Sequence, residues 1–566
     1  MKLIDQHDIL VIGGGAAGLR AAIAAVEKNP ELSVGLISKV YPIRSHTVSA
    51  EGGLAGVLRD YDDFDSHAFD TIKGSDYLAD QDAVEFFVRE APKEIANLEH
   101  WGCPWSREED GQVAVRAFGG MTVKRTVYAA DKTGFYMLHS LFERSLKYPQ
   151  IVRYDEWYVS KILMTGERAT GVVAIQQRTG ETVAFSGKAI ILATGGAGRT
   201  YRFTTNGNIK TGDGMSLALR AGALLKDMEF VQFHPTGLVR TGILITEAAR
   251  GEGGYLINKT GDRFLKDYMP SKMELGPRDL ISRAIVSEIE AGRGIDTPYG
   301  PCVHLDLRHL GEKLINERLP LIREISIDYQ NVDPVKEPIP VRPVLHYFMG
   351  GVHTNLKAET SLKALYAAGE TACVTINGAN RLGSNSLSEC LVFGRVAGEE
   401  AAAFVQGQGV VTVDDDSIRE EEERLEALRT ASGHEKVAVL RDILNDVMER
   451  AGGIIRDRTR MEKGIEEIRN LKMRYLNIGV SDHGHVFNTE WILVLELGHM
   501  LDVSECLLTA AVAREESRGS HVRTDFPNRE DERFLHHQLA QMKDGKMSWS
   551  NLPVTMTKWE PQERKY

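Results

Sequence analysis

Cysteine is scarce in this sequence. Five in 566 residues (Cys103, Cys302, Cys373, Cys390 and Cys506) lie scattered, with no C-x-x-C pair. A disulfide framework is therefore not expected, and the chain cannot ligate an iron–sulfur cluster alone. A reduced, cytoplasmic setting is the default. Positive charge is in deficit: 68 Lys+Arg against 80 Asp+Glu give −12, which argues against a general affinity for nucleic acid or an anionic membrane face. No uncharged apolar run approaches the roughly 20 residues a membrane helix needs. The start, Met1-Lys2-Leu3-Ile4-Asp5-Gln6-His7-Asp8, lacks the charged-then-apolar pattern of a signal peptide. Internal repeats and low-complexity tracts are missing too. Glycine is what abounds, at 54 residues, and the length exceeds what one compact core accommodates.

The first glycines sit where nucleotide binding needs them. Asp8-Ile9-Leu10-Val11-Ile12 reads as a buried parallel strand. Gly13, Gly14, Gly15, Ala16, Ala17 and Gly18 follow, then an Ala-rich helical stretch and a second strand, Val34-Gly35-Leu36-Ile37-Ser38. Gly13-x-Gly15-x-x-Gly18 thus has the flanking strand and helix that make a dinucleotide fingerprint credible. Its physics is a tight turn, close backbone approach to a pyrophosphate, and phosphate at a helix N-terminus. The acid expected after the second strand is missing; Ser38-Lys39 stands there. Lys39 could meet a 2′-phosphate, an NADP reading. Alternatively the cofactor is a flavin dinucleotide whose ribose is held differently. Two further glycine segments favour the flavin: Ala193-Thr194-Gly195-Gly196-Ala197-Gly198 and Leu365-Tyr366-Ala367-Ala368-Gly369-Glu370.

Further along, residues 240–345 change texture, with glycine turns and a helix near 278–291. The proline-rich stretch 334–343 reads as a stiff connector. Strand–glycine–helix grammar then returns to about residue 405, and the acids Asp414-Asp415-Asp416 open a long helical region. The fold expected is α/β: a Rossmann-like FAD-binding domain (1–240 and 346–410) interrupted by an α+β capping domain (241–345). A helical domain (411–530) and a C-terminal tail (531–566) follow. An inserted domain lies over the nucleotide site, where ligand clefts form.

Longer motifs name a family. Arg44-Ser45-His46-Thr47-Val48-Ser49-Ala50-Glu51-Gly52-Gly53 resembles the covalent-flavin segment of the flavoprotein subunit of succinate dehydrogenase and fumarate reductase. Phe118-Gly119-Gly120, Thr211-Gly212-Asp213-Gly214 and Gln232-Phe233-His234-Pro235-Thr236-Gly237 match in the same order, as do Thr246-Glu247-Ala248-Ala249-Arg250 and Gly276-Pro277-Arg278-Asp279. His346-Tyr347-Phe348-Met349-Gly350-Gly351, Asn380-Arg381-Leu382-Gly383-Ser384-Asn385-Ser386-Leu387 and Arg514-Glu515-Glu516-Ser517-Arg518 complete the series, so the likeness runs from residue 8 to about 530.

The resemblance implies FAD bonded through its 8α carbon to His46, with Gly13 to Gly18, Ser38, Lys39, Ser45, Thr47, Gly52, Gly53, Asp213, Glu370, Ser386 and Leu387 around the cofactor. It implies a dicarboxylate substrate, succinate or fumarate. Arg381 and His346 would hold one carboxylate and His234 and Thr246 the other, with Phe118 and Gly119 shaping the wall. Two carboxylates call for two donor clusters, and arginine suits bidentate recognition. Arg278 corresponds to the proton carrier, with Glu247 and Arg250 as its relay. No metal is implied in this chain. Its partners would be an iron–sulfur subunit and a membrane anchor that handles quinone. The chain would then sit peripherally at the cytoplasmic face of the plasma membrane.

Some positions depart from the pattern. Phe135 stands where relatives often have His, Ala249 where a cysteine often precedes the relay arginine, and Glu51 where relatives carry Gln or Glu. Two competing readings are a soluble L-aspartate oxidase, which binds FAD without a covalent bond, and a non-catalytic flavin-binding relay subunit. His46 and the extended C-terminal region oppose the first; retention of Arg381, His346 and Arg278 opposes the second.

Overall fold

The computed structural model describes residues 5–543 and 545–565. Strand β1 (Asp5–Ile12) leads through the glycines into helix α1 (Ala16–Lys28), and β2 (Val34–Ser38) returns parallel to β1, Ile9 opposite Val34. β3 (Ile151–Asp155) extends the sheet beyond β2, while β4 (Trp157–Thr165), β5 (Arg168–Gln176) and β6 (Glu181–Leu192) form an antiparallel set. The resulting order is β3-β2-β1-β6-β5-β4. Ile9–Ile12 of β1 and the C-terminal half of β6 are buried on both faces, as apolar runs in a helix-covered parallel sheet must be.

Helix α2 (Asp213–Arg220) and strand β7 (Val231–Leu238) follow, then α3 (Glu247–Gly251), β8 (Tyr255–Ile257), α4 (Arg278–Glu288), β9 (Val303–Asp306) and β10 (Ile339–Phe348). The strands form a second sheet, β7-β10-β9-β8. A hydrophobic core whose buried members all fall between Leu238 and Val341 supports it. The proline-rich stretch is more than a connector, because its second half is β10, paired on both sides. The ladder tolerates the prolines where it is broken: pairing jumps from His234↔Val344 to Gly237↔Arg342, so Pro235 and Pro343 fall at an irregularity that needs no donor.

β11 (Leu365–Ala367) then pairs parallel with β6, and α5 (Asn385–Val405) packs on α1. The acidic run opens a helix, Asp415–Arg429, capped by Asp414, whose Oδ2 accepts from the Ser417 amide at 3.1 Å. Helices α6 (Val437–Ala451), α7 (Arg458–Tyr475) and α8 (Thr489–Ala513) share one hydrophobic core with the first sheet, for Leu444, Ile468 and Leu497 cluster with Leu10, Val172 and Leu192. Strands His536–Lys543 and Lys546–Pro553 pair antiparallel, and the first also pairs with Leu225 and Lys226. Among the described residues no helix is long and apolar enough to cross a membrane.

Candidate active site

A cavity of about 720 Å³ runs from the glycine loop to the seam with the second sheet, within the size range of ligand sites. Its first wall is made by Gly13, Gly14, Gly15, Ala16 and Ala17. Gly13 has φ +115°, and a Cβ there would lie 2.2 Å from the Ala193 carbonyl oxygen; at Gly18 it would meet the Gly13 oxygen at 1.8 Å. Gly18 therefore serves the close helix–strand crossing and does not line the cavity.

Ser38 and Lys39 close the same end. Lys39 Nζ is 2.7 Å from Asp213 Oδ2 and 2.8 Å from Glu496 Oε1 on α8. Burial lowers its pKa, but the two carboxylates outweigh burial and the net shift is upward. This lysine is thus already neutralised, which removes the basis of the NADP reading. Asp213 opens α2 and also accepts from Thr211 Oγ1 at 2.7 Å. Glu370 pairs with Lys210 and accepts from the Phe348 amide.

Midway, Ser45, His46, Thr47, Gly52 and Gly53 line the cavity. The Gly207 amide donates to His46 Nδ1 at 3.3 Å, which leaves Nε2 as the ring nitrogen free to react. Burial, aided by the charge of Lys210, pushes the His46 pKa down to about 3, so the imidazole is neutral. Beside it Glu51 is buried, and burial reinforced by Asp131 raises its carboxyl pKa well above normal.

At the far end two arginines meet one amide. Gln232 Oε1 accepts from Arg278 Nη1 at 3.0 Å and Arg381 Nη2 at 3.2 Å, while its Nε2 donates to Asn380 Oδ1 and the Arg381 carbonyl. Arg381 also donates to Ser386 Oγ at 2.8 Å and lies 4.4 Å from the Tyr347 ring centroid. Burial and the neighbouring Arg278 push the Arg381 pKa down to about 10. Arg278, the first residue of α4, donates from Nε to Glu247 Oε2 at 2.8 Å; Arg250 Nη2 is 3.8 Å from the same oxygen. Burial would raise the Glu247 pKa, but the two guanidiniums outweigh it and hold the carboxylate below its usual range. The Gly119 amide donates to Glu247 Oε1.

Opposite the arginines stand two imidazoles, His234 and His346, with ring centroids 5.1 Å apart. Both pKa values are driven well below normal, first by burial and then by Arg278. His234 Nδ1 accepts from the Thr236 amide at 3.2 Å, placing the proton on Nε2, and His346 Nδ1 meets Thr205 Oγ1 at 2.8 Å. Thr246 caps α3 and completes this wall with Phe118. Ser386 and Leu387, in the first turn of α5, face the same space. Arg250 and Gly119 stand behind the lining residues.

The donor set suits a large polar ligand beside a small anion. Ser45 Oγ, Glu51 Oε2, His234 Nε2 and Arg381 Nε are buried without a hydrogen-bond partner among the described residues, and all four residues line the cavity. Four residues of the site carry no signal of their role in sequence: Gln232 and Tyr347 lie inside the ordered motifs, and Lys210 and Glu496 lie outside them.

Fold and site together define an FAD-binding flavoprotein. A profile described as "FAD binding domain" matches residues 8–387, and one described as "Fumarate reductase flavoprotein C-term" matches residues 441–566. The chain is 56% identical to the fumarate reductase flavoprotein subunit of Mycobacterium tuberculosis, covering 99% of both, and 52% identical to that of Proteus vulgaris, covering 99% of this chain and 96% of the relative. A solved mutant of the Escherichia coli quinol fumarate reductase flavoprotein superposes with TM-score 0.97 at 48% identity, covering 99% of each chain. The chain belongs to the fumarate reductase and succinate dehydrogenase flavoprotein subunit family, a family of oxidoreductases.

Proposed function

We propose that this chain interconverts fumarate and succinate on FAD bonded to His46, as the flavoprotein subunit of a membrane-peripheral complex. One observation supports this most: Arg278 and Arg381, joined by Gln232, face the two neutral imidazoles across a cavity continuous with the dinucleotide loop.

When bound, FAD supplies the two-electron carrier that exchanges hydride with a substrate carbon. His46 would hold its 8α carbon, the glycine loop its pyrophosphate, and Asp213 and Glu370 its hydroxyl groups. Ser386 and Leu387 place a helix N-terminus toward the ring. Arg381 and His346 bind one substrate carboxylate; His234 Nε2–H and Thr246 bind the other, with Phe118 closing the wall over Gly119. In fumarate reduction Arg278 gives a proton to the carbon next to the one that receives hydride. Glu247 and then Arg250 return a proton to it, so alkene, hydride and proton sum to succinate. The reverse sequence oxidises succinate.

Electrons need an outside partner. Five scattered cysteines cannot build a cluster here, and two of the solved relatives are described as quinol–fumarate reductases, one with bound menaquinol. An iron–sulfur subunit and a membrane anchor therefore complete the proposed complex, at the cytoplasmic face. We propose further that residues 241–345 cap the site. The test is viologen-linked fumarate reduction by the purified holoprotein: malonate-sensitive turnover is expected, and inactivity toward every C4 dicarboxylate would overturn the reading.

A further inference from the structure

A second concavity lies outside the site, against the back of Phe118. Its walls include Tyr61, Ala117, Lys124, Lys272 and Leu275, and Phe118 itself belongs to both this concavity and the active-site cavity. The two spaces are separated by the seam between residues 118–120 and 275–276, where the Gly120 amide donates to the Leu275 carbonyl at a long 3.3 Å. The seam is tight at Gly119, where a Cβ would lie 2.5 Å from Glu247 Oε1 and 2.7 Å from the Gly276 oxygen. Phe118, only 3% exposed, stands between the two spaces and lines both.

The charge of this concavity is out of keeping with the molecule. The chain carries −12 overall, yet the residues lining the concavity include two lysines and no carboxylate. Both lysine side chains are exposed, and neither has a carboxylate within ion-pair distance among the described residues. Behind the lining, Asp70 accepts from the Thr122 amide and hydroxyl but is already paired with Arg125, and the adjoining concavity beyond Tyr61 holds Asp60, Glu108 and Asp110 with Arg59 and shares Lys124. Lys272 is therefore the less compensated of the pair. A cationic mouth in an anionic surface concentrates a dianion by long-range attraction.

We infer that this concavity is the vestibule by which a dicarboxylate reaches the arginine clamp. Lys272 and Lys124 draw the dianion to the Phe118 seam, and parting of residues 275–276 from 118–120 admits it. The inference rests on the dicarboxylate reading of the site and adds the route and the two steering residues.

Its test is stopped-flow binding of malonate to the purified complex, followed by flavin absorbance, in wild type and in K124A/K272A. At low ionic strength the double variant is expected to associate about three- to tenfold more slowly. Added salt should bring wild type down to the variant's rate, because screening removes attraction between exposed charges. Lys272→Ala should account for most of the loss, and kcat at saturating fumarate should not change. K272E, which should slow association further, guards against a packing effect, since lost packing would not follow salt. Equal association rates with equal salt slopes would overturn the vestibule. Wild type that bound no malonate at all would overturn the site reading beneath it.

Discussion

Single residues carry most of the proposed chemistry, and two can be tested alone. His46→Ser should abolish the band of flavin fluorescence that migrates with the denatured chain under ultraviolet light; a fluorescent variant band would place the bond elsewhere. Gln232→Leu removes the oxygen that holds both Arg278 and Arg381, and leaving two buried donors unpaired costs about 1–3 kcal/mol each. A fall in kcat/KM of about tenfold or more is expected, with FAD content unchanged; wild-type kinetics would show that the amide is dispensable. Buried histidines away from the site set the acid limit of stability. Burial pushes His67 and His499 down to about 3, and His521 well below normal. The unfolded chain protonates these rings below about pH 6.5 while the folded one does not, so stability is full above that pH. It is lost as pH falls toward 3, by about 1.4 kcal/mol per pH unit for each ring. His537 works against this, because Asp227 and Asp80 outweigh burial and raise its pKa. Burial also pushes His353 down to about 4, while Glu389, raised by burial to about 7, joins His537 in opposing the loss. The lowered rings His67, His353, His499 and His521 outnumber these two, which predicts a lower Tm by calorimetry at pH 5 than at pH 7, and equal values would contradict the assignment.

At the scale of elements, long-range ion pairs do what local pattern cannot. Arg514, at the end of α8, is fully buried and donates to Glu229 Oε1 at 2.6 Å, to Glu516 at 3.0 Å and to the Phe534 and His536 carbonyls at 2.8 Å. Removing one partner of a buried pair leaves an uncompensated charge and costs about 3–5 kcal/mol. Arg514→Met should lower the denaturation midpoint accordingly, and a loss below about 1 kcal/mol would mean that water or a shifted side chain compensates. The same physics marks what was legible. The β1–glycine–α1 unit could be read because its signals lie within a few residues of each other. Lys39 could not, for its second carboxylate, Glu496, comes from α8, 457 positions away. Strands His536–Lys543 and Lys546–Pro553 give no core signal in sequence because they are largely polar, and the first gains its burial from distant partners, Leu225, Lys226, Asp227 and Ala510. The proline stretch hid β10 because a ladder irregularity, invisible in sequence, absorbs Pro343.

For the whole molecule, the main question is where electrons come from. On the proposed function, this acidic chain, with no membrane-crossing helix among its described residues, exchanges electrons through a partner subunit. Isolated holoprotein should therefore reduce fumarate with viologen but not with quinol, whereas the assembled complex should use both; quinol oxidation by the isolated chain would contradict this division. The site itself was legible as ordered motifs, but its geometry was not: only folding shows that one glutamine joins the two arginines and that the imidazoles opposite are neutral. Viologen-linked fumarate reduction by the Arg278→Ala complex tests that geometry most directly. A loss of about a thousandfold in kcat is expected, with malonate still bound and flavin still covalently attached; activity within about tenfold of wild type would remove Arg278 as proton donor and with it the proposed mechanism.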